Sequence, residues 1–125
     1  MQLSGAVLFV RDLPAMTAFY RDVLGMTPVA GEQTTDWVEF DAGGTSFGLH
    51  AIPESIKAAG TPERPPEPRE GNPLRLDFMV PDVELEKRRL EALGVTLLIR
   101  PWGACHIVDP EGNVLGLRDA IVRDS

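Results

Sequence analysis

The sequence predicts an α+β protein built from two tandem βαβββ modules, and three observations carry that prediction. First, the chain repeats itself. Val10-Arg-Asp-Leu13 is matched by Val80-Pro-Asp-Val83, Leu24-Gly25 by Leu93-Gly94, and Asp41-Ala-Gly-Gly44 by Asp109-Pro-Glu-Gly112. The offset drifts only from 70 (Asp12 to Asp82) to 69 (Gly25 to Gly94) to 68 (Gly44 to Gly112). Second, each copy runs through the same order of strand and helix patterns. Third, a proline-rich, charged stretch, 60–73, separates the copies and has the composition of a linker or exposed loop. Either copy is too small to bury a good core by itself, and a cleft shared by two is a natural ligand site.

The elements follow in order. Ala6-Val-Leu-Phe-Val10 is β-rich and apolar and reads as the first strand. Asp12 is placed to cap a helix, with Pro14 in the first turn, where a missing N–H is harmless. Met16, Phe19, Tyr20, Val23 and Leu24 share one helical face, and Gly25 ends it in the left-handed conformation. Strands are expected over 27–30, 36–40 and 45–52, with Gly43-Gly44 turning between the last two. The second copy gives a strand over 74–80 and an Asp82-capped helix bearing Val83, Leu90 and Leu93. Gly94 follows, and then strands over 95–99, 105–108 and 113–117. The modules are thus 1–59 and 74–125, forming one domain of 125 residues.

Bulk properties narrow the function. With 43% hydrophobic and 25% charged residues, the chain has the composition of a soluble globular domain. A net charge of -7 argues against a nucleic-acid surface, which needs clustered Lys and Arg. Cys105 is the one cysteine, so no intrachain disulfide forms and a reducing compartment is expected. No leader pattern or membrane-length apolar run is seen, so a cytoplasmic location is expected.

The helix segment Val10-Arg-Asp-Leu-Pro-Ala-Met-Thr-Ala-Phe-Tyr-Arg-Asp-Val-Leu-Gly25 resembles the vicinal oxygen chelate superfamily. So do Val80-Pro-Asp-Val83, Leu90-Glu-Ala-Leu-Gly-Val95 and Asp109-Pro-Glu-Gly-Asn113. This superfamily groups glyoxalase I, extradiol dioxygenases, and the fosfomycin- and bleomycin-resistance proteins. The resemblance implies a glyoxalase-like fold whose modules form a curled mixed sheet around a concave pocket, commonly in a homodimer. It also implies a divalent metal held from four strand positions, which correspond here to Gly5, Arg75, Gly48 and Gly116. None of these ligates a metal through its side chain; glycine has none, and arginine is permanently cationic. No metal and no cofactor is therefore expected. The glycines are expected to leave room for a bulky group.

Strand alternation assigns a pocket lining on this alignment. Phe9, Trp37 and Met79, with Val7, supply an apolar floor, and Glu39, His50, Arg75, Asp77, His106 and Arg118 supply polar groups. Ala6, Leu8, Val10, Leu74, Leu76, Phe78 and Val80 are expected to face the helices instead. Arg75 suits a carboxylate, phosphate or enolate oxygen in a bidentate contact, or else pairs with Asp77 on the same strand face. The expected function is binding or sequestration of a small organic ligand between the modules. The alternative is a lyase, isomerase or dioxygenase with an unconventional metal site, or with His50 or His106 as base beside Arg75. A fold kept only as an accessory or dimerisation module is a third possibility.

Overall fold

The computed structural model describes residues 1–53 and 67–120. It divides into two compact units, Met1–Pro62 and Glu63–Ser125. Each unit is a four-stranded mixed sheet with one helical segment, so the fold is the expected α+β arrangement of two similar modules.

In the first unit, β1 (Gly5–Val10) leads into α1 (Leu13–Ala18), a π-helical turn (Phe19–Val23), then β2 (Thr27–Gln33), β3 (Trp37–Asp41) and β4 (Ser46–Ala51). The sheet order is β1-β4-β3-β2, with β1 parallel to β4 and the other pairs antiparallel. Asp12 caps α1 by accepting from the Ala15 N–H at 3.0 Å. The helix closes with Leu24 N–H donating to the Phe19 carbonyl and Met26 N–H to the Tyr20 carbonyl, which Gly25 permits at φ +76°. Under the helix lie Val10, Met16, Phe19, Tyr20, Val38, Phe40, Phe47 and Leu49, all buried. The Tyr20 ring packs edge-on against Phe47 at 5.1 Å, and Phe47 stacks across the strands on Phe40 at 6.2 Å. β2 runs three residues past the expected end. Gly31, at φ +81°, absorbs an irregularity in the β2–β3 register, after which Gln33 pairs with Val38.

In the second unit, β5 (Leu76–Val80) leads into α2 (Val83–Ala92), β6 (Leu97–Ile99), β7 (Cys105–Val108) and β8 (Val114–Asp119), in the order β5-β8-β7-β6. Asp82 caps α2 through the Leu85 N–H. The core is aliphatic: Leu90, Cys105, Ile107, Val108, Leu115 and Leu117 are buried.

Three expectations need correction here. Leu93 is exposed, because it lies just beyond α2 as its C-cap. Residues 95–96 lie outside β6, since Val95 N–H donates back to the Leu90 carbonyl and completes the helix end. Leu74 is exposed and precedes β5, so it does not face the helix. Residues 67–73 are mostly exposed, irregular and part of the second unit. Arg69 donates from N–H to the Gly112 carbonyl at 2.8 Å and from Nε to the Glu111 carbonyl at 3.0 Å. Residues 54–66, the bulk of the expected linker, lie outside the described residues.

Candidate functional site

In the first unit, alternation along the strands leaves Val7 and Phe9 exposed, while Val10 is fully buried. His50 pairs with Phe9 on one side and Trp37 on the other. The three rings meet there: Phe9 lies 5.5 Å from His50, and Trp37 lies 6.1 Å from it, edge-on. Glu39 pairs with Gly48 on the same face. The His50 Nδ1 lies 2.9 Å from the Ala51 carbonyl oxygen. That oxygen only accepts, so Nδ1 is the donor in this contact. A cleft of about 540 Å³ borders His50 where β1 and β4 end, with Arg11, Asp12, Thr35 and Asp36 in its wall. Of these wall residues, strand alternation predicts only His50. The others lie on connections, where that pattern carries no information.

The second unit presents a charged face. Arg75 holds Asp77 in a fork, Nε to Oδ1 at 2.6 Å and Nη2 to Oδ2 at 2.9 Å. The Arg75 contact holds the Asp77 carboxyl below the usual carboxylate range, with burial opposing and Arg118 and His106 adding to the lowering. Asp77 and His106 flank Gly116 from the two neighbouring strands, and Met79 pairs with Arg118. His106 is only 6% exposed. Its Nδ1 accepts from Arg100 Nε at 3.0 Å. The remaining fork of Arg100 grips Glu70, Nη1 to Oε2 at 2.8 Å and Nη2 to Oε1 at 2.7 Å. Burial, then the Arg75 and Arg100 cations, push the His106 pKa down, against a smaller upward pull from Asp77 and Glu70. Arg100 and Glu70 were not among the expected site residues. They are 30 positions apart, and no local pattern links them.

The residues at the family's metal positions do not fit a metal. The room expected above the glycines is filled. A Cβ at Gly48 would strike the Trp37 ring, one at Gly116 would strike the Asp77 carboxylate, and one at Gly5 would lie 2.7 Å from the Ser46 carbonyl oxygen. These glycines serve close packing, so the expectation of vacancy is corrected. Other donors are engaged. Asp77 is held by Arg75, and the Asp109 oxygens accept from Glu111 N–H, Asn113 N–H and Asn113 Nδ2. Among the described residues, no three His, Cys, Asp or Glu side chains converge as a metal would need.

Similarity to known proteins agrees with the motifs. The chain aligns over 95% of its length, and 93% of the other, with a lactoylglutathione lyase from Agrobacterium tumefaciens, at 28% identity and TM-score 0.66. A glyoxalase/bleomycin resistance protein/dioxygenase family enzyme from Burkholderia phytofirmans PsJN matches at 24% identity and TM-score 0.71, covering 97% of this chain and 100% of that one. A fosfomycin resistance protein from Listeria monocytogenes matches at 19% identity and TM-score 0.67, covering 94% and 90%. The latter two likenesses speak to the fold. No curated protein matches the sequence. No helix among the described residues is long and apolar enough to cross a membrane. The glyoxalase-like domain model matches residues 5–117, nearly the whole chain, and on that match the chain belongs to the glyoxalase-like domain family of the vicinal oxygen chelate superfamily.

Proposed function

We propose that this chain is a small-molecule-binding member of the family that holds an organic ligand without a metal, as a homodimer in the cytoplasm. One observation carries the reading. Where the superfamily would place metal ligands, this chain has three glycines and Arg75, and the space over two of the glycines belongs to Trp37 and to the Arg75–Asp77 pair. A ligand then has to be held by ring contacts and hydrogen bonds. The first unit's sheet face offers Phe9, Trp37 and His50, which suit a flat apolar group. The second unit's face offers Arg75, His106 and Arg118, which suit oxygen acceptors.

A thermal-shift screen of aromatic drugs and small organic acids tests this, run on protein dialysed against a chelator and again with divalent metal added. The reading expects at least one compound to raise the melting temperature equally in both. A rise that appears only with metal would sink it. Sedimentation velocity tests the dimer, and a monomer at every concentration would remove that part.

A further inference from the structure

We propose that His106 presents a single, fixed Nε2–H to a carbonyl oxygen of the ligand, with Arg100 and Glu70 as the residues that position it. The inference rests on the ligand-binding reading above and deepens it. The Arg100 guanidinium carries hydrogens on all its nitrogens and only donates, so the His106 Nδ1 facing it at 3.0 Å must be the lone-pair nitrogen. The neutral ring therefore carries its proton on Nε2. Both oxygens of Glu70 accept from the other two nitrogens of Arg100 and favour that orientation. Protonating Nδ1 would set two donors against each other, and the downward shift of the His106 pKa agrees with this.

The imidazole is more than nine-tenths buried, yet among the described residues no group accepts from Nε2. The one sealed side-chain polar atom without a partner among those residues is Thr17 Oγ1, so Nε2 reaches solvent. A buried ring held on one edge and open on the other is a pre-positioned donor. The same geometry argues against His106 as a general base or metal ligand, since its lone pair is already spent on Arg100.

The ligand group follows from the surrounding charges. The groups acting on His106 are Asp77 from β5, Arg75 just before it, Arg100 from the β6–β7 connection, and Glu70 from the segment preceding β5. They form two ion pairs: Asp77 takes the Nε–Nη2 edge of Arg75, and Glu70 together with His106 takes all three nitrogens of Arg100. One neutral donor beside two ion pairs, with the exposed Arg118 two residues along β8 from Gly116, suits a ketone or aldehyde oxygen, which brings no further charge to the His106 edge.

The test is NMR on the full chain. Long-range ¹H–¹⁵N spectra of the free protein should show His106 as the Nε2–H tautomer, with a pKa below the ordinary 6.5. Arg100→Leu should raise that pKa and mix the tautomers, whereas Glu70→Gln, which removes an upward pull, should lower it and mix the tautomers less. Titration with acetophenone should shift the His106 Nε2 resonance, whereas benzoate should not. His106→Ala should weaken acetophenone binding roughly five- to tenfold, the size of one neutral hydrogen bond. His106→Gln, which keeps an N–H donor, should restore most of it, a rescue that a base or a metal ligand would not show. An Nδ1–H tautomer in the free protein would overturn the inference while leaving metal-free binding intact. So would benzoate preferred over acetophenone, or acetophenone binding that leaves His106 unmoved. A ligand response that needs metal sinks the binding reading instead and leaves the tautomer standing.

Discussion

The two modules share one backbone plan and differ in almost everything their outward sheet faces carry. Register makes the comparison residue by residue. His50 stands beside Phe9 in the first unit as Arg118 stands beside Met79 in the second, and Glu39 stands beside Gly48 as His106 stands beside Gly116. The helix caps Asp12 and Asp82, the left-handed Gly25 and Gly94, and the paired turns at 41–44 and 109–112 are kept in both. These features set the backbone path, and changing them costs folding directly. Side chains on the uncovered face bear less of that burden. One copy carries rings there and the other carries ion pairs. The duplication thus yields two chemically distinct surfaces from one fold, with no metal-ligating side chain at Gly5, Gly48, Arg75 or Gly116.

The turns allow the sharpest break of this symmetry. Asp109 is fully buried and accepts three hydrogen bonds, under a segment anchored by Arg69. Its counterpart Asp41 is exposed and accepts one from the Gly43 N–H. Asp109→Ala should cost about 3 kcal/mol, because buried donors are left without acceptors. Asp41→Ala should cost about 0.5 kcal/mol. Urea unfolding measures both, and equal costs would show that the second turn is not the more deeply built one.

The glycines come next in size. Gly48→Ala should destabilise by about 2 kcal/mol, because the Trp37 ring is rigid and has to move as a whole. Adding Trp37→Ala should recover part of that loss, so the double variant should be more stable than the sum of the singles. Gly116→Ala meets a carboxylate that can swing aside with Arg75, and should cost about 1 kcal/mol. Strict additivity at the Trp37–Gly48 pair would mean that the ring does not fill that space.

The smallest effect is in pH. Folded His106 resists protonation, while the unfolded residue takes a proton below its ordinary 6.5. Its contribution to stability is therefore complete above about pH 6.5 and is lost as pH falls from there to the lower folded value. Asp77 adds a second loss at more acid pH, as the unfolded carboxylate protonates near 3.8 while Arg75 keeps the folded one ionised. His106→Gln should flatten the first part of the profile and leave the second. A His106→Gln profile that keeps the loss below pH 6.5 would contradict the assignment.

Much of the fold was legible in the sequence because its determinants are local. Caps, left-handed glycines and apolar alternation act within a few residues, and they appear where expected at Asp12, Gly25, Asp82 and Gly94. The same alternation brought Phe9, Trp37 and His50 to one face and Asp77 with His106 beside Gly116. What it could not supply was the content of the space between side chains. A glycine in a strand reads as a gap, and only the neighbouring rotamers reveal that Trp37 or Asp77 occupies it. The Glu70–Arg100–His106 chain was hidden for another reason. Glu70 lies in a stretch whose proline and charge content reads as unstructured, and the bonds that anchor that stretch to the 109–112 turn are long-range.

The account rests on the claim that both copies have given the superfamily's metal positions over to packing. Elemental analysis of the purified, dialysed chain, with calorimetric titration of zinc, nickel, manganese and ferrous iron, tests it most directly. The account predicts metal far below one ion per chain and no saturable heat with any of the four. One ion per chain that survives dialysis, or one stoichiometric site in the titration, would contradict it.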